Sequence, residues 1–80
     1  MLLKMFTSKT CPNCPKAHEF ADSLTIPVSK YDISEREGLA EAAFHGFQSV
    51  PSFVLESMDE KILATWVNKI PTLTELKDKM

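Results

Sequence analysis

The chain has 80 residues, of which 44% are hydrophobic and 25% charged, and its formal net charge is −2. A chain of this length builds one hydrophobic core rather than two, so we expect a single domain over residues 1–80. The balanced charge provides no basic surface for nucleic acid and no acidic tail. No stretch approaches the ~20 apolar residues that a membrane-spanning helix needs. We therefore expect neither a nucleic-acid nor a membrane partner.

The N-terminal segment and the cysteines indicate the compartment. Residues 1–6 form an apolar run that Lys4 interrupts, and the run is too short for the core of a signal peptide. We therefore expect a cytoplasmic protein. Cys11 and Cys14 are the only cysteines, and a bridge that closes so short a loop contributes little stability. In a reducing compartment, such a pair indicates a chemical rather than a structural role.

The first predicted elements are a strand and a helix that flank the cysteine pair. The strand covers residues 2–6, a short apolar run followed by polar residues. With Cys11 as the helix cap, Pro12 takes the first helical position, where its missing N–H costs nothing. Pro27 ends the helix. The helix has one apolar face with spacing i, i+3, i+4 and i+7, formed by Ala17, Phe20, Ala21 and Leu24.

A second strand and a second helix follow. The strand covers residues 28–33, and Ser34 with Glu37 three residues later forms a predicted capping box. A strand–helix–strand–helix order favours two parallel strands joined by a right-handed crossover. The apolar stripe predicted for this helix consists of Leu39, Ala42, Ala43, Gly46 and Phe47.

The last third of the chain predicts a hairpin and a terminal helix. Residues 52–56 and 61–67 flank a polar segment and indicate an antiparallel pair of strands. A second capping box, Thr72 with Glu75, precedes a helix whose apolar face carries Leu73, Leu76 and Met80. The predicted order is β-α-β-α-β-β-α, an α/β fold with three helices on a four-stranded mixed sheet.

Two cysteines three residues apart, at the start of a helix that directly follows a strand, form a specific redox signal. The helix N-terminus carries about half a positive charge and favours a thiolate. We expect Cys11, at the exposed end, to be the nucleophile and Cys14 to resolve the mixed disulfide. Pro12 stiffens the turn, and the Asn13 amide is available to the Cys11 sulfur. Lys9 is either a positive charge that supports the thiolate or a solvated loop residue.

The segment Thr10-Cys11-Pro12-Asn13-Cys14 after an apolar strand resembles the active-site entry of the thioredoxin and glutaredoxin superfamily. The resemblance covers nearly the whole chain and is strongest to the small glutaredoxin-like thioredoxins that serve ribonucleotide reductases. It implies a thioredoxin-like fold and reduction of protein disulfides. It also implies that Pro51 is a cis-proline facing the cysteines, with the Val50 backbone pairing with an extended substrate segment. The substrate-binding residues expected on this basis are Val50, Pro51, Pro12, Asn13 and Lys9.

The electron donor is the point on which the sequence departs from the glutaredoxin pattern. Asn13 stands where glutaredoxins commonly have tyrosine, and Asn68-Lys69 replaces the Gly-Gly-x-Asp turn that binds glutathione. The resemblance therefore implies a reductase of the thioredoxin-reductase type as electron donor. The alternative is a glutathione-dependent glutaredoxin, because Thr72 still leaves a capped helix N-terminus for a carboxylate.

Metal binding is the alternative from another functional class. Cys11, Cys14 and His18 have the spacing of three zinc ligands, and His45 offers a fourth. An iron–sulfur cluster held by the two cysteines is a further version of this alternative. Only one CxxC is present, so we expect no metal and no cofactor. A non-catalytic binding module with the same fold is the remaining alternative, and we expect the protein to be a monomer.

Overall fold

Four strands and three helices occur in the order β-α-β-α-β-β-α, as the sequence predicts. The computed structural model describes residues 1–79. The strands are β1 (Leu2–Thr7), β2 (Val28–Asp32), β3 (Ser52–Glu56) and β4 (Ile62–Trp66), and the helices are α1 (Cys14–Asp22), α2 (Arg36–His45) and α3 (Leu73–Lys79). The predicted α/β class with a four-stranded mixed sheet and three helices is confirmed.

The sheet has the strand order β2-β1-β3-β4. Strand β1 is parallel to β2 and antiparallel to β3, and β3 forms an antiparallel hairpin with β4. In the central pair, Phe6 lies opposite Ser52 and Leu2 lies opposite Glu56. The C-terminal end of β1 therefore lies beside the N-terminal end of β3, at one end of the sheet.

Each face of the sheet carries its own apolar layer. Side chains of a strand alternate between the two faces, so Leu3 and Met5 face one side and Phe6 faces the other. Helix α1 and helix α3 cover the first face, and helix α2 covers the second. The first layer contains Leu3, Met5, Ala17, Ala21, Phe53, Leu55, Trp66 and Leu76, and the second contains Phe6, Ala42, Phe47 and Val54.

A partly buried group of three charges fastens α2 to the sheet. The Lys4 ammonium lies 2.9 Å from a Glu56 carboxylate oxygen and 3.3 Å from one of Glu41. Burial disfavours the charged form of Lys4, but hydrogen bonds and charge attraction from Glu56 and Glu41 outweigh it. The pKa of Lys4 therefore lies above its ordinary value. The polar residue in the middle of an apolar strand is thus a satisfied ion-pair partner.

The capping box predicted for α2 is wrong. The N–H and the hydroxyl of Ser34 both donate to the Asp32 carboxylate instead, so Ser34 is held in the turn after β2. Helix α2 begins two residues later, with Glu35 as a cap residue that makes no side-chain capping bond. The short polar side chain at the end of β2 competes successfully for the serine, a local alternative to capping.

The apolar stripe predicted for α2 is also displaced. Leu39 is exposed, whereas Gly38 and Ala42 are buried. Gly38 lies against the backbone of Asp32, where a Cβ atom would overlap the carbonyl oxygen. With Gly38 and Ala42 on the buried face of the helix, Leu39 and Ala43 are exposed to solvent. Because glycine carries no apolar side chain, a hydrophobic pattern does not identify this contact.

The predicted hairpin and the predicted cap of α3 are confirmed. Residues 57–60 form the turn between β3 and β4. The Glu75 N–H donates to the Thr72 hydroxyl at 3.1 Å, and the Thr72 hydroxyl donates to a Glu75 carboxylate oxygen at 3.3 Å. Leu76 is fully buried, while Leu73 is exposed. Met80, the third residue of the predicted face, lies outside the described residues.

The Gly38 contact predicts a stability change opposite to helix propensity. Alanine in an exposed helix position is more favourable than glycine by roughly 1 kcal/mol. We expect Gly38→Ala instead to lower the free energy of unfolding by about 1–3 kcal/mol, because the added methyl group has no space. Urea denaturation of the variant and of Glu37→Ala, an exposed neighbour in the same helix, measures the difference. A Gly38→Ala variant more stable than the parent protein would contradict this packing.

Candidate functional site

The two cysteines lie in a turn between β1 and α1. The Cys11 N–H donates to the Ser8 carbonyl oxygen, and the Cys14 N–H donates to the Cys11 carbonyl oxygen, both at 3.4 Å. Helix α1 begins at Cys14, with Asn13 as its N-cap residue. The prediction that Cys11 caps the helix and that Pro12 is its first residue is therefore wrong.

Pro15 gives the physical reason for the later helix start. A helix capped at Cys11 needs an N–H from residue 15 to donate to the Cys11 carbonyl, and proline has no N–H. The Ala17 N–H donates instead to the Asn13 carbonyl at 3.3 Å. Pro15 then lies in the first helical turn, where no N–H is required, and residues 11–14 are left as a tight turn.

This turn holds the two cysteines as a disulfide. Cys11 and Cys14 are bonded through their sulfurs, and their Cα atoms are 5.4 Å apart. The two residues differ in accessibility, because Cys14 is only 3% exposed while Cys11 is partly exposed. A reacting group that approaches from solvent therefore meets Cys11 first.

The segment Val50-Pro51 lies at the same end of the sheet as this turn. Pro51 directly precedes Ser52, which pairs with Phe6 near the end of β1, and the cysteine turn follows β1. The Val50–Pro51 peptide bond is cis. Pro51 is buried and Val50 is partly buried. The register of the central strands thus brings together two motifs that are far apart in the sequence.

The other predicted site residues surround the cysteine turn. Pro12 and Asn13 lie in the turn itself and are exposed. Lys9 is exposed as well and lies close enough to Asp32 to influence its ionisation. Hydrogen bonds from the hydroxyl and the N–H of Ser34 hold the pKa of Asp32 below its ordinary value, with a smaller contribution from the Lys9 charge. The sequence did not indicate that Lys9 has this acidic neighbour.

The loop between β4 and α3 also contacts this end of the sheet, and the sequence contains little sign of these contacts. The Lys69 N–H donates to the Pro51 carbonyl oxygen at 3.1 Å. The preceding residue, Asn68, has a left-handed backbone with φ of 54°, a conformation that asparagine adopts more readily than most residues. The Asn68 N–H donates to the buried Ser52 hydroxyl at 3.2 Å. A polar residue at the start of an otherwise apolar strand was the only available signal.

The four side chains of the zinc alternative are not brought together. His18 is on α1, which covers one face of the sheet, and His45 is on α2, which covers the other. The His45 ring packs against Phe47 and Phe6, with ring centroids 5.7 and 5.8 Å away. Among residues 1–79, no group of three or more His, Cys, Asp or Glu side chains is arranged to hold a metal ion.

Comparison with known proteins identifies the family. The family model described as Glutaredoxin matches residues 3–57, a segment that contains the cysteine pair and Val50-Pro51. The chain belongs to the glutaredoxin family, within the thioredoxin superfamily. The Cys11–Cys14 disulfide gives this member of the family the cysteine pair that the predicted thiol–disulfide redox class requires.

One curated relative and two solved structures are similar to the chain. A protein of Archaeoglobus fulgidus named "Probable Thioredoxin" is 34% identical over 59 residues, which are 69% of this chain and 65%, or less than two thirds, of that protein. The structure of a malarial protein has a TM-score of 0.76 and 21% identity, covering 98% of this chain and 90% of that one. Thioredoxin 1 of Thermosipho africanus has a TM-score of 0.71 and 17% identity, covering 99% and 89%. At these identities, the two structures show the thioredoxin-like fold alone.

The helices do not include a candidate for a membrane span. Across residues 1–79, no helix has both the length and the apolar character that crossing a bilayer requires.

The single tryptophan reports on the loop beside the site. Trp66 Nε1 donates to Glu75 Oε2 at 3.2 Å, and the same oxygen accepts from Lys69 Nζ at 2.9 Å. The hydrogen bond from Lys69, assisted by that from Trp66, holds the pKa of Glu75 below its ordinary value. Because the folded pKa is lowered, the stability from Glu75 is present above its unfolded pKa. That stability is lost as the pH falls through the folded value.

We therefore expect the fluorescence of Trp66 to change on acidification with a midpoint below pH 4.5. The change should be absent in Glu75→Gln and retained in Glu19→Gln, a control at an exposed position of α1. Emission is recorded in a pH titration under conditions in which circular dichroism shows the fold intact. A transition that persists unchanged in Glu75→Gln would contradict the assignment.

Proposed function

We propose that the protein is a dithiol–disulfide oxidoreductase that reduces disulfides of other proteins, with Cys11 as the nucleophile and Cys14 as the resolving cysteine. The observation that carries the proposal is the Cys11–Cys14 disulfide, with an accessible outer cysteine and a buried inner one. This disulfide follows β1, at the end of the sheet where β1 ends and β3 begins. We also propose the chain as a single domain that acts as a cytoplasmic monomer.

The reaction proceeds in two exchanges. The Cys11 thiolate attacks one sulfur of the substrate disulfide, forms a mixed disulfide and releases the first substrate thiolate, which takes a proton from water. Cys14, after losing its proton, attacks the Cys11 sulfur and releases the second substrate thiolate. Two electrons pass to the substrate, and the cysteine pair is left as the disulfide present in the structure.

The surroundings of Cys11 favour its ionised form. The nine-residue helix α1 begins just after the turn, and the positive end of its dipole is directed toward the cysteines. Lys9, two residues before Cys11, adds a positive charge that also acts on Asp32. The burial of Cys14 keeps its sulfur from competing for the substrate.

Substrate binding is assigned to the end of the sheet beside the disulfide. Val50 and Pro51 lie directly before β3, and an extended substrate segment adds its backbone to Val50 by hydrogen bonds. Pro12 and Asn13 form the exposed surface of the cysteine turn, and Lys9 borders it. A substrate disulfide within an extended protein segment suits binding at this end of the sheet.

Two features support a protein reductase rather than glutathione as electron donor. Asn68 and Lys69 stand where the resemblance to glutaredoxins places Gly-Gly-x-Asp. In addition, the start of α3 is already occupied, because the Glu75 carboxylate accepts from the Thr72 hydroxyl and lies 2.9 Å from Lys69 Nζ. A glutathione carboxylate would have to displace Glu75 from these partners. Insulin reduction coupled to thioredoxin reductase, compared with glutathione plus glutathione reductase, tests the donor, and activity only with glutathione would overturn it.

The roles of the two cysteines predict which variant accumulates a covalent intermediate. Cys14→Ser retains the accessible nucleophile but lacks the resolving thiol, so we expect a stable mixed disulfide between Cys11 and a peptide disulfide substrate. Cys11→Ser is the matched control, and its buried Cys14 should react at least about tenfold more slowly. Intact-mass spectrometry after acid quenching measures both adducts. Faster trapping in Cys11→Ser would reverse the assignment.

A further inference from the structure

Ser52 is a fully buried polar residue at the start of β3. Its hydroxyl donates to the Ser49 carbonyl oxygen at 2.6 Å and accepts from the Asn68 N–H at 3.2 Å. One hydroxyl thus joins the segment before Pro51 to the loop after β4. Because the side chain has no exposed surface, water does not offer replacement partners at the hydroxyl itself.

These contacts continue the hairpin beyond its regular end. The ladder between β3 and β4 begins with Phe53 opposite Trp66. Past this pair, Asn68 has a left-handed backbone, which departs from strand geometry. Its N–H is accepted by a side-chain hydroxyl rather than by a carbonyl group of β3. The neighbouring bond from the Lys69 N–H to the Pro51 carbonyl is the second connection at this level.

The segment held in this way is the one assigned to substrate binding. Residues 49–51 lie between α2 and β3 and form no part of a helix or strand. Val50 offers its backbone groups to a substrate only if this segment keeps one conformation. A segment that must be ordered during binding lowers affinity, because part of the interaction energy is spent on ordering.

We propose that Ser52 is a positioning residue, whose buried hydroxyl ties residues 49–51 to Asn68 and so holds the Val50 backbone ready for an extended substrate. The inference rests on the proposed oxidoreductase function. Ser52 takes no part in the exchange between Cys11 and Cys14. Its influence is therefore confined to substrates that bind the Val50 backbone. The reduction of a small disulfide without a peptide backbone does not depend on Ser52.

The test compares how fast the reduced protein reacts with two disulfide substrates. One is a synthetic peptide disulfide with several residues on each side of its cysteine, and the other is dithiodipyridine. The measured quantity is the ratio of their second-order rate constants. In Ser52→Ala we expect this ratio, peptide over dithiodipyridine, to fall about tenfold, as the loss of a preorganised binding segment requires. A partial loss of folded protein would lower both rate constants equally and leave the ratio unchanged.

Two further variants complete the design. Ser52→Thr keeps the hydroxyl and should restore the ratio. Ser23→Ala removes a comparable bond, from the Ser23 hydroxyl to the Phe20 carbonyl at 2.7 Å near the end of α1, and should leave the ratio unchanged. A parental ratio in Ser52→Ala would overturn the positioning role while leaving the oxidoreductase proposal intact. A parent protein that reduces neither disulfide would overturn both.

Hydrogen exchange keeps the proposal testable if Ser52→Ala does not fold. In the parent protein, the Asn68 amide donates to a buried acceptor, so we expect its exchange to be slowed at least about tenfold relative to an unstructured amide. Exchange at the unprotected rate would show that the Ser52 connection is not maintained in solution and would overturn the proposal.

Discussion

The antiparallel pairing of β1 with β3 is the constraint on which the site depends. Phe6 lies opposite Ser52 in this pair, so the turn that follows β1 and the segment that precedes β3 meet at one end of the sheet. Both strands are covered by apolar layers on their two faces. A register shift of one residue would exchange the layers of every side chain in a strand, and burial on both faces therefore fixes the pairing.

The local chain around the disulfide converts this position into a chemical asymmetry. Pro15 lacks the N–H that an earlier helix start would need, so α1 begins at Cys14 and leaves Cys11 in a turn. Cys14 is buried, and Cys11 remains partly exposed. Reduction of a substrate disulfide by a cysteine pair requires one sulfur that attacks the substrate and a second that attacks the resulting mixed disulfide. The proposed roles of the two cysteines follow from this arrangement.

The features that the sequence predicted well are those with strong local signals. The element order, the cysteine pair and the capping box of α3 depend on residues close together in the chain. The errors arose where a competing contact or a missing donor, neither of which appears in a hydrophobic pattern, decided the outcome. Gly38 packs on the backbone of Asp32 and so lies on the buried face of α2, and Asp32 also binds Ser34 in place of the predicted cap. The connection from Ser52 to Asn68 depends on the folded hairpin and carries no sequence pattern of its own.

The most direct test of the account is an equilibrium redox titration of the Cys11–Cys14 pair. The protein is equilibrated in glutathione and dithiothreitol buffers that together cover a graded range of potentials. The thiols are alkylated after acid quenching, and the oxidised fraction is measured by mass spectrometry. We expect both thiols to change together in one two-electron transition, at a potential between about −270 and −120 mV, the range of thiol–disulfide oxidoreductases. A pair that remains oxidised to potentials below about −300 mV would behave as a structural disulfide and contradict the account.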